Sequence, residues 1–226
     1  MAQCGLGSRR ACDRIIAERR VSIDGDLVEN PGVQVESVQN VQVDGKPVAL
    51  QRFVYLMLNK PKDVLCTNED THGRKTYLDL VPDLSERVFP VGRLDRDSEG
   101  LLLITNDGDL ANRLIHPRYE VEKVYEVQTA HPLSEEDLAQ LCRGVFSEGD
   151  HLSAVKITPL DSVEGYEFRL REGKNRQIRR MVEKVGNDVT RLKRVAFGPL
   201  TVAGLQRGAC RVLQSDEIAL LKQLTE

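Results

Sequence analysis

The chain has 226 residues, 40% of them hydrophobic and 30% charged, with a formal net charge of −3 at pH 7. That is enough to bury a sizeable core as one large domain or as a small domain plus a larger one. No apolar run approaches the roughly 20 residues of a membrane-spanning helix and the first residues form no secretory signal, so a cytoplasmic protein with no membrane partner is expected. Cys4, Cys12, Cys66, Cys142 and Cys210 include no Cys-x-x-Cys pair, and His72, His116, His131 and His151 fall in separate segments. Neither a disulfide framework nor a metal site is therefore expected.

In chain order, Ser8 has the chemistry of an N-cap, followed by an apolar stripe at Ala11, Ile15 and Ile16. Residues 21–28 and 41–48 alternate in period two around Asp24-Gly25 and Asp44-Gly45, strong hairpin signals. A helix-plus-hairpins module is thus expected over residues 1–50, with a larger domain over 51–226. Arg9, Arg10, Arg14, Arg19 and Arg20 either line a groove for an RNA backbone, since the guanidinium fork suits phosphate oxygens, or form a solvated helix face.

Residues 53–59 predict a buried strand that Pro61 ends by removing a donor. Residues 68–76, with Asp70, His72, Arg74 and Lys75, lack periodicity and predict a loop. A short β-like run at 88–91 then leads into Gly92-Arg93-Leu94-Asp95-Arg96-Asp97-Ser98-Glu99-Gly100, and the apolar strand 101–105 follows. Such a charged loop, held between two strands, presents a polar group from a rigid base. By pattern alone Asp95, Asp97, Glu99 or Asp107 could be the active acid.

Beyond it, residues 109–116 have helical spacing up to Pro117, and 122–129 alternate as a strand with Val124 and Tyr125 on opposite faces. Ser134 and Asp137 form a capping box for a helix over 135–142. Further strands are expected at 155–159 and 166–171. Strands and helices mix without a βαβ repeat, which predicts an α+β fold with a mainly antiparallel mixed sheet flanked by helices.

Charge is unevenly distributed. Residues 169–194 hold ten basic residues against three acidic ones, near +7, which leaves about −10 elsewhere and suggests a concentrated basic face for a polyanion. Within it, Ile178, Met181, Val182 and Val185 give the i, i+3, i+4, i+7 pattern of an amphipathic helix over 174–185. Lys174 and Arg176 in its first turn oppose the helix dipole by a few tenths to about 1 kcal/mol. A bound anion would explain that placement.

Three motifs carry a resemblance: Gly92-Arg93-Leu94-Asp95 with Ser98-Glu99-Gly100-Leu101-Leu102-Leu103 and Thr105-Asn106-Asp107-Gly108; Lys123-Val124-Tyr125; and Glu172-Gly173-Lys174-Asn175-Arg176-Gln177-Ile178-Arg179-Arg180-Met181. In this order they resemble the pseudouridine synthases of the ribosomal small-subunit synthase A family, which also contains large-subunit enzymes. The resemblance implies that fold and the isomerisation of a uridine in rRNA, large-subunit rRNA being favoured over small-subunit, without metal or organic cofactor. It makes Asp95 the essential aspartate, a carboxylate able to act as nucleophile or base. It also sets Lys174 against that aspartate, Tyr125 against the base and Ile178 in an apolar pocket. Arg93, Arg96, Arg176, Arg179 and Arg180 are the candidates for substrate phosphates.

Residues Gly7-Ser8-Arg9-Arg10, Ile15-Ile16 and Arg20-Val21-Ser22-Ile23-Asp24-Gly25 resemble the small RNA-binding domain of ribosomal protein S-four, with most of its first helix missing and with Arg9 and Arg10 as RNA contacts. The expected partner is ribosomal RNA or a pre-ribosomal particle, and a monomer is the default. Two other classes compete: a noncatalytic rRNA-binding or ribosome-assembly protein, and a glycoside or nucleoside hydrolase using Asp95 with Asp97 or Glu99 as an acid pair.

Overall fold

A computed structural model describes residues 1–36, 39–162 and 164–226. Contacts divide them into two units, Met1–Val54 with Leu84–Val88, and Tyr55–Asp83 with Phe89–Glu226. Hairpin signals alone place the boundary near Leu50; Arg52 pairs with Glu86 inside the first unit, which assigns a segment remote in sequence to it.

In the first unit, helix α1 (Arg9–Ala17) starts where the Ser8 hydroxyl accepts from Ala11 N at 3.2 Å. Strands β1 (Val21–Ile23), β2 (Asp26–Leu27), β3 (Val41–Val43) and β4 (Lys46–Pro47) form an antiparallel sheet in the order β2-β1-β3-β4. Both Asp-Gly turns have two residues at positive φ, the twist that a two-residue hairpin needs. Ile16, Val21 and Val43 make its small core. Arg19 is ion-paired to Glu29, and Arg20 grips Asp44 through two bonds and Glu18 through a third. Arg9, Arg10 and Arg14 are exposed.

The second unit is built on one large sheet. Its elements are β5 (Tyr55–Lys60), β6 (Phe89–Pro90), β7 (Glu99–Thr105), α2 (Gly108–Ile115), β8 (Lys123–Thr129), α3 (Glu135–Arg143), β9 (Val145–Ser147), β10 (Asp150–Leu152), β11 (Lys156–Pro159), β12 (Gly165–Leu170), α4 (Gln177–Lys184), β13 (Val189–Phe197), β14 (Leu200–Thr201), β15 (Cys210–Val212) and α5 (Ser215–Gln223). The order is β11-β12-β8-β13-β7-β5-β15, with β6 on β7 and β14 on β13; β9 and β10 form a separate hairpin. Among the described strands of this sheet, only the β13–β7 pairing is parallel, in line with the mainly antiparallel α+β expectation.

Every residue of β5 and β7 is buried, because both sheet faces are covered, and apolar residues therefore run without a break over 55–58 and 101–104. Tyr55, Met57, Leu101 and Leu103 pack on Leu110, Ala111 and Leu114 of α2 and Leu221 of α5. Asp107, read as part of a turn, caps α2 by accepting from Leu110 N at 3.0 Å and also takes the Tyr55 hydroxyl at 2.8 Å. This burial and bond raise the Tyr55 pKa. Among the described residues no helix is long and apolar enough to cross a membrane.

Candidate active site

Asp95 sits on the loop between β6 and β7, and the loop is tied down from below. Lys60, fully buried at the end of β5, donates to the carbonyls of Pro61 and Val64 at 2.9 Å and of Arg96 at 3.5 Å. Burial lowers its pKa. Asp63 N donates to Arg96 O at 2.8 Å, Ser98 N closes a turn onto Asp95 O at 3.1 Å, and Leu94 is buried. Glycine is required where the loop enters β7: Gly100 has φ +102°, and a Cβ there would lie 2.1 Å from the Arg194 carbonyl. The Asp95 side chain, one-third exposed, is therefore presented from a backbone with little freedom.

The carboxylate faces a cleft of about 590 Å³ whose lining includes Arg93, Asp95, Tyr125, Lys174, Arg176 and Ile178. Residues far apart in sequence thus meet in one place. Tyr125 and Ile178 are buried in its wall. The cation beside Asp95 is Arg176, with Nη1 3.7 Å from Oδ2, and the same nitrogen is 3.6 Å from Asp97. Lys174 lines the cleft but is turned away, donating to His151 O at 2.7 Å and pairing with Glu172 at 3.3 Å. The pairing of Lys174 with the aspartate is corrected accordingly.

The reason is local geometry. Arg176 takes a left-handed conformation, φ 47°, immediately before α4, so the helix begins at Gln177 and not at Lys174. Lys174 and Asn175 then belong to the preceding turn, and the expected conflict of Lys174 with the helix dipole does not arise.

The phosphate candidates separate. Arg93 is exposed, lines the cleft and has no ion pair among the described residues. Arg96 is exposed and pairs with Asp63 at 2.8 Å. Arg179 is largely consumed, by Val189 O at 2.9 Å and Asp97 at 3.0 Å. Arg180 is buried, bonding to Ser147 O and Oγ, Asp150 and Asn175 O; it fastens α4 to the β9–β10 hairpin and is corrected from phosphate contact to structural tie.

The concentrated basic face is corrected with it. Arg169 pairs with Glu122 and Glu167, Arg171 with Glu120, and Arg191 with Glu99. These acids lie on β7, in the segment before β8 and on β12 just ahead of Arg169, all outside residues 169–194, so a count over that stretch does not see them. Asp97 and Glu99 are likewise engaged with arginines, so neither forms an acid pair with Asp95.

Lys123, Arg194 and Cys66 also line the cleft, though nothing in the sequence reading gave them a site role. Burial lowers the Lys123 pKa to about 8, with Arg194 adding to the shift and Glu172 opposing it. Burial pushes the Cys66 thiol up. The signal for Lys123 and Arg194 was alternation: each shares a sheet face with Tyr125, by register and by period two. No group of three metal-ligating side chains is found among the described residues.

Comparison with known proteins bears on the same segment. Residues 54–184 match the sequence pattern of a family described as RNA pseudouridylate synthase, a span that includes Asp95, Tyr125, Lys174, Arg176 and Ile178. The chain is 39% identical to an uncharacterized RNA pseudouridine synthase of Aquifex aeolicus, over 98% of this chain and 91% of that one. It is 37% identical to ribosomal large subunit pseudouridine synthase B of Bacillus subtilis, over 100% and 95%. A solved pseudouridylate synthase superposes with a TM-score of 0.72 at 29% identity, covering 97% of this chain and 95% of the other.

Proposed function

Because the chain belongs to the RNA pseudouridylate synthase family, we propose that it isomerises a uridine of large-subunit ribosomal RNA, with Asp95 as the reacting carboxylate. The substrate class follows the Bacillus subtilis relative of similar length that is named for the large subunit. The observation that carries the residue assignment is the setting of Asp95: a carboxylate on a pinned loop, 3.7 Å from Arg176, in a cleft shared with Tyr125. The neighbouring cation attracts and orients the carboxylate, and Tyr125 gives the base an aromatic face.

To reach this cleft the uridine must leave its stack, at a cost of a few kcal/mol unless the RNA already loops it out. Arg93 and Arg96 are the side chains best placed to take phosphates. We assign the first unit as a module of the S-four type, with Arg9 and Arg10 toward the RNA backbone; their exposure supports this, as does the contrast with Arg19 and Arg20, which are spent on carboxylates.

The test is tritium release from C5-labelled uridine in large- and small-subunit rRNA transcripts, with nucleoside analysis of the product. Pseudouridine at one large-subunit position supports the reading. Pseudouridine only in small-subunit RNA overturns the substrate, and free uracil would make the protein a hydrolase.

A further inference from the structure

Two cations in the floor of the cleft have no carboxylate within ion-pairing distance among the described residues. Antiparallel register sets Lys123 of β8 opposite Phe197 of β13, and Tyr125 opposite Arg194. All four side chains line the cleft. The Phe197 ring is within cation–π reach of both, its centroid 5.5 Å from Lys123 Nζ and 5.3 Å from the Arg194 guanidinium. Lys123 is 6% exposed, and its ammonium donates to Val121 O at 2.9 Å and Arg171 O at 3.5 Å. One of its three N–H groups is left over. Arg194 is 2% exposed; Nε donates to Leu101 O at 2.7 Å, and Nη2 is buried without a partner.

Burying two like charges side by side disfavours folding. A cleft that keeps them is suited to negative charge that arrives on, or develops in, its ligand. The charged groups around Lys123 are Arg194 from β13 and Glu172 from the segment after β12, with Arg93, Asp95, Lys174 and Arg176 in the cleft walls. Glu172 is already paired with Lys174, which leaves the floor net positive.

We propose that Lys123 donates a hydrogen bond to a carbonyl oxygen of the target uracil and stabilises the negative charge that grows on the base as its N1–C1′ bond breaks, with Arg194 as the positioning residue behind it. This rests on the isomerase reading above. The electron pair of N1–C1′ leaves with the base, whose anion spreads charge over N1, O2 and O4, while the Asp95 carboxylate holds C1′. A pair from C5 then forms the C5–C1′ bond and frees the carboxylate; C5 loses a proton and N1 gains one, so atoms and charge balance. Arg194 makes Lys123 a more acidic, hence stronger, donor and shares the Phe197 ring with it.

The experiment is the single-turnover rate of pseudouridine formation on an rRNA fragment holding the target, measured from pH 6 to 10 for wild type, Lys123→Met and Lys123→Arg. The wild-type rate should fall above pH about 8, as Lys123 deprotonates. In Lys123→Arg that fall should move out of range, because a guanidinium stays charged. Lys123→Met should slow the step about 100-fold, with RNA affinity within about twofold of wild type, as for loss of one charge-stabilising donor. An unchanged rate in Lys123→Met, or the same alkaline fall in Lys123→Arg, overturns the proposal; the second comparison decides even if the Met variant fails to fold. A wild type inactive on every rRNA uridine would instead refute the isomerase reading.

Discussion

Replacing Arg176 by alanine removes the cation 3.7 Å from the Asp95 carboxylate. Two unit charges at that separation attract by about 1 kcal/mol in bulk water and by about 4 kcal/mol at an effective dielectric of 20. The side chains are 47% and 33% exposed, and Arg176 is shared with Asp97 at 3.6 Å, so the lower end applies. A loss of about 1 to 2 kcal/mol corresponds to a rate about 5- to 30-fold slower. Single-turnover tritium release from labelled rRNA measures it, and raising the salt should narrow the gap between variant and wild type. Lys174→Ala, whose ammonium is held by Glu172 and His151 O, should lose less. A wild-type rate in Arg176→Ala together with a larger loss in Lys174→Ala would refute the reasoning and return the role to Lys174.

Gly100→Ala should destabilise the second unit by about 3 to 5 kcal/mol, because it combines a strained positive φ with a clash that pries β7 from β13; a shift in urea midpoint worth under about 1 kcal/mol would contradict this. Arg180→Ala should cost about 1 to 3 kcal/mol of stability by leaving the buried Ser147 carbonyl without its donor. It should leave the salt slope of RNA binding unchanged, whereas a direct phosphate contact would reduce that slope by about one. For Lys123, the folded pKa of about 8 lies below the unfolded value of about 10.4. Between those values the unfolded chain binds more protons, so stability rises with pH, and the full penalty is present below pH about 8. Lys123→Met removes that penalty of about 3 kcal/mol and leaves two carbonyls short of a donor, about 1 to 3 kcal/mol in the other direction. Urea unfolding should show near-neutral to raised stability at pH 7 and a smaller advantage near pH 10, even as activity falls; a loss above about 2 kcal/mol at pH 7 would contradict the sign.

Local chemistry was legible where one residue decides it. Ser8, the Ser134–Asp137 box and the two Asp-Gly turns sit where capping and twist require them. The apolar runs of β5 and β7 announced a central sheet. Arg191, Lys193 and Arg194 made β13 read as a basic surface segment, although Leu192, Arg194 and Phe197 point into the protein. The β9–β10 hairpin hid in a polar stretch and turns at Glu148-Gly149.

At the site, pattern alone left four acids open, and the family resemblance singled out Asp95, Tyr125 and Ile178, which the fold brings to one cleft. The choice between Lys174 and Arg176 turned on one left-handed residue, and periodicity carries no sign of it, since the apolar pattern of α4 is the same whether the helix starts at 174 or 177. The fate of Arg180 depended on Ser147 and Asp150, about 30 residues upstream, which meet it only through tertiary packing.

The central claim is that Asp95 isomerises a uridine in large-subunit rRNA. Mapping pseudouridines in rRNA from cells lacking the protein, complemented with wild type or with Asp95→Ala, tests it most directly. One large-subunit uridine should be converted with the wild type and left unmodified with Asp95→Ala, although that variant accumulates and binds RNA. Full conversion by Asp95→Ala, or no rRNA position that depends on the protein, would contradict it.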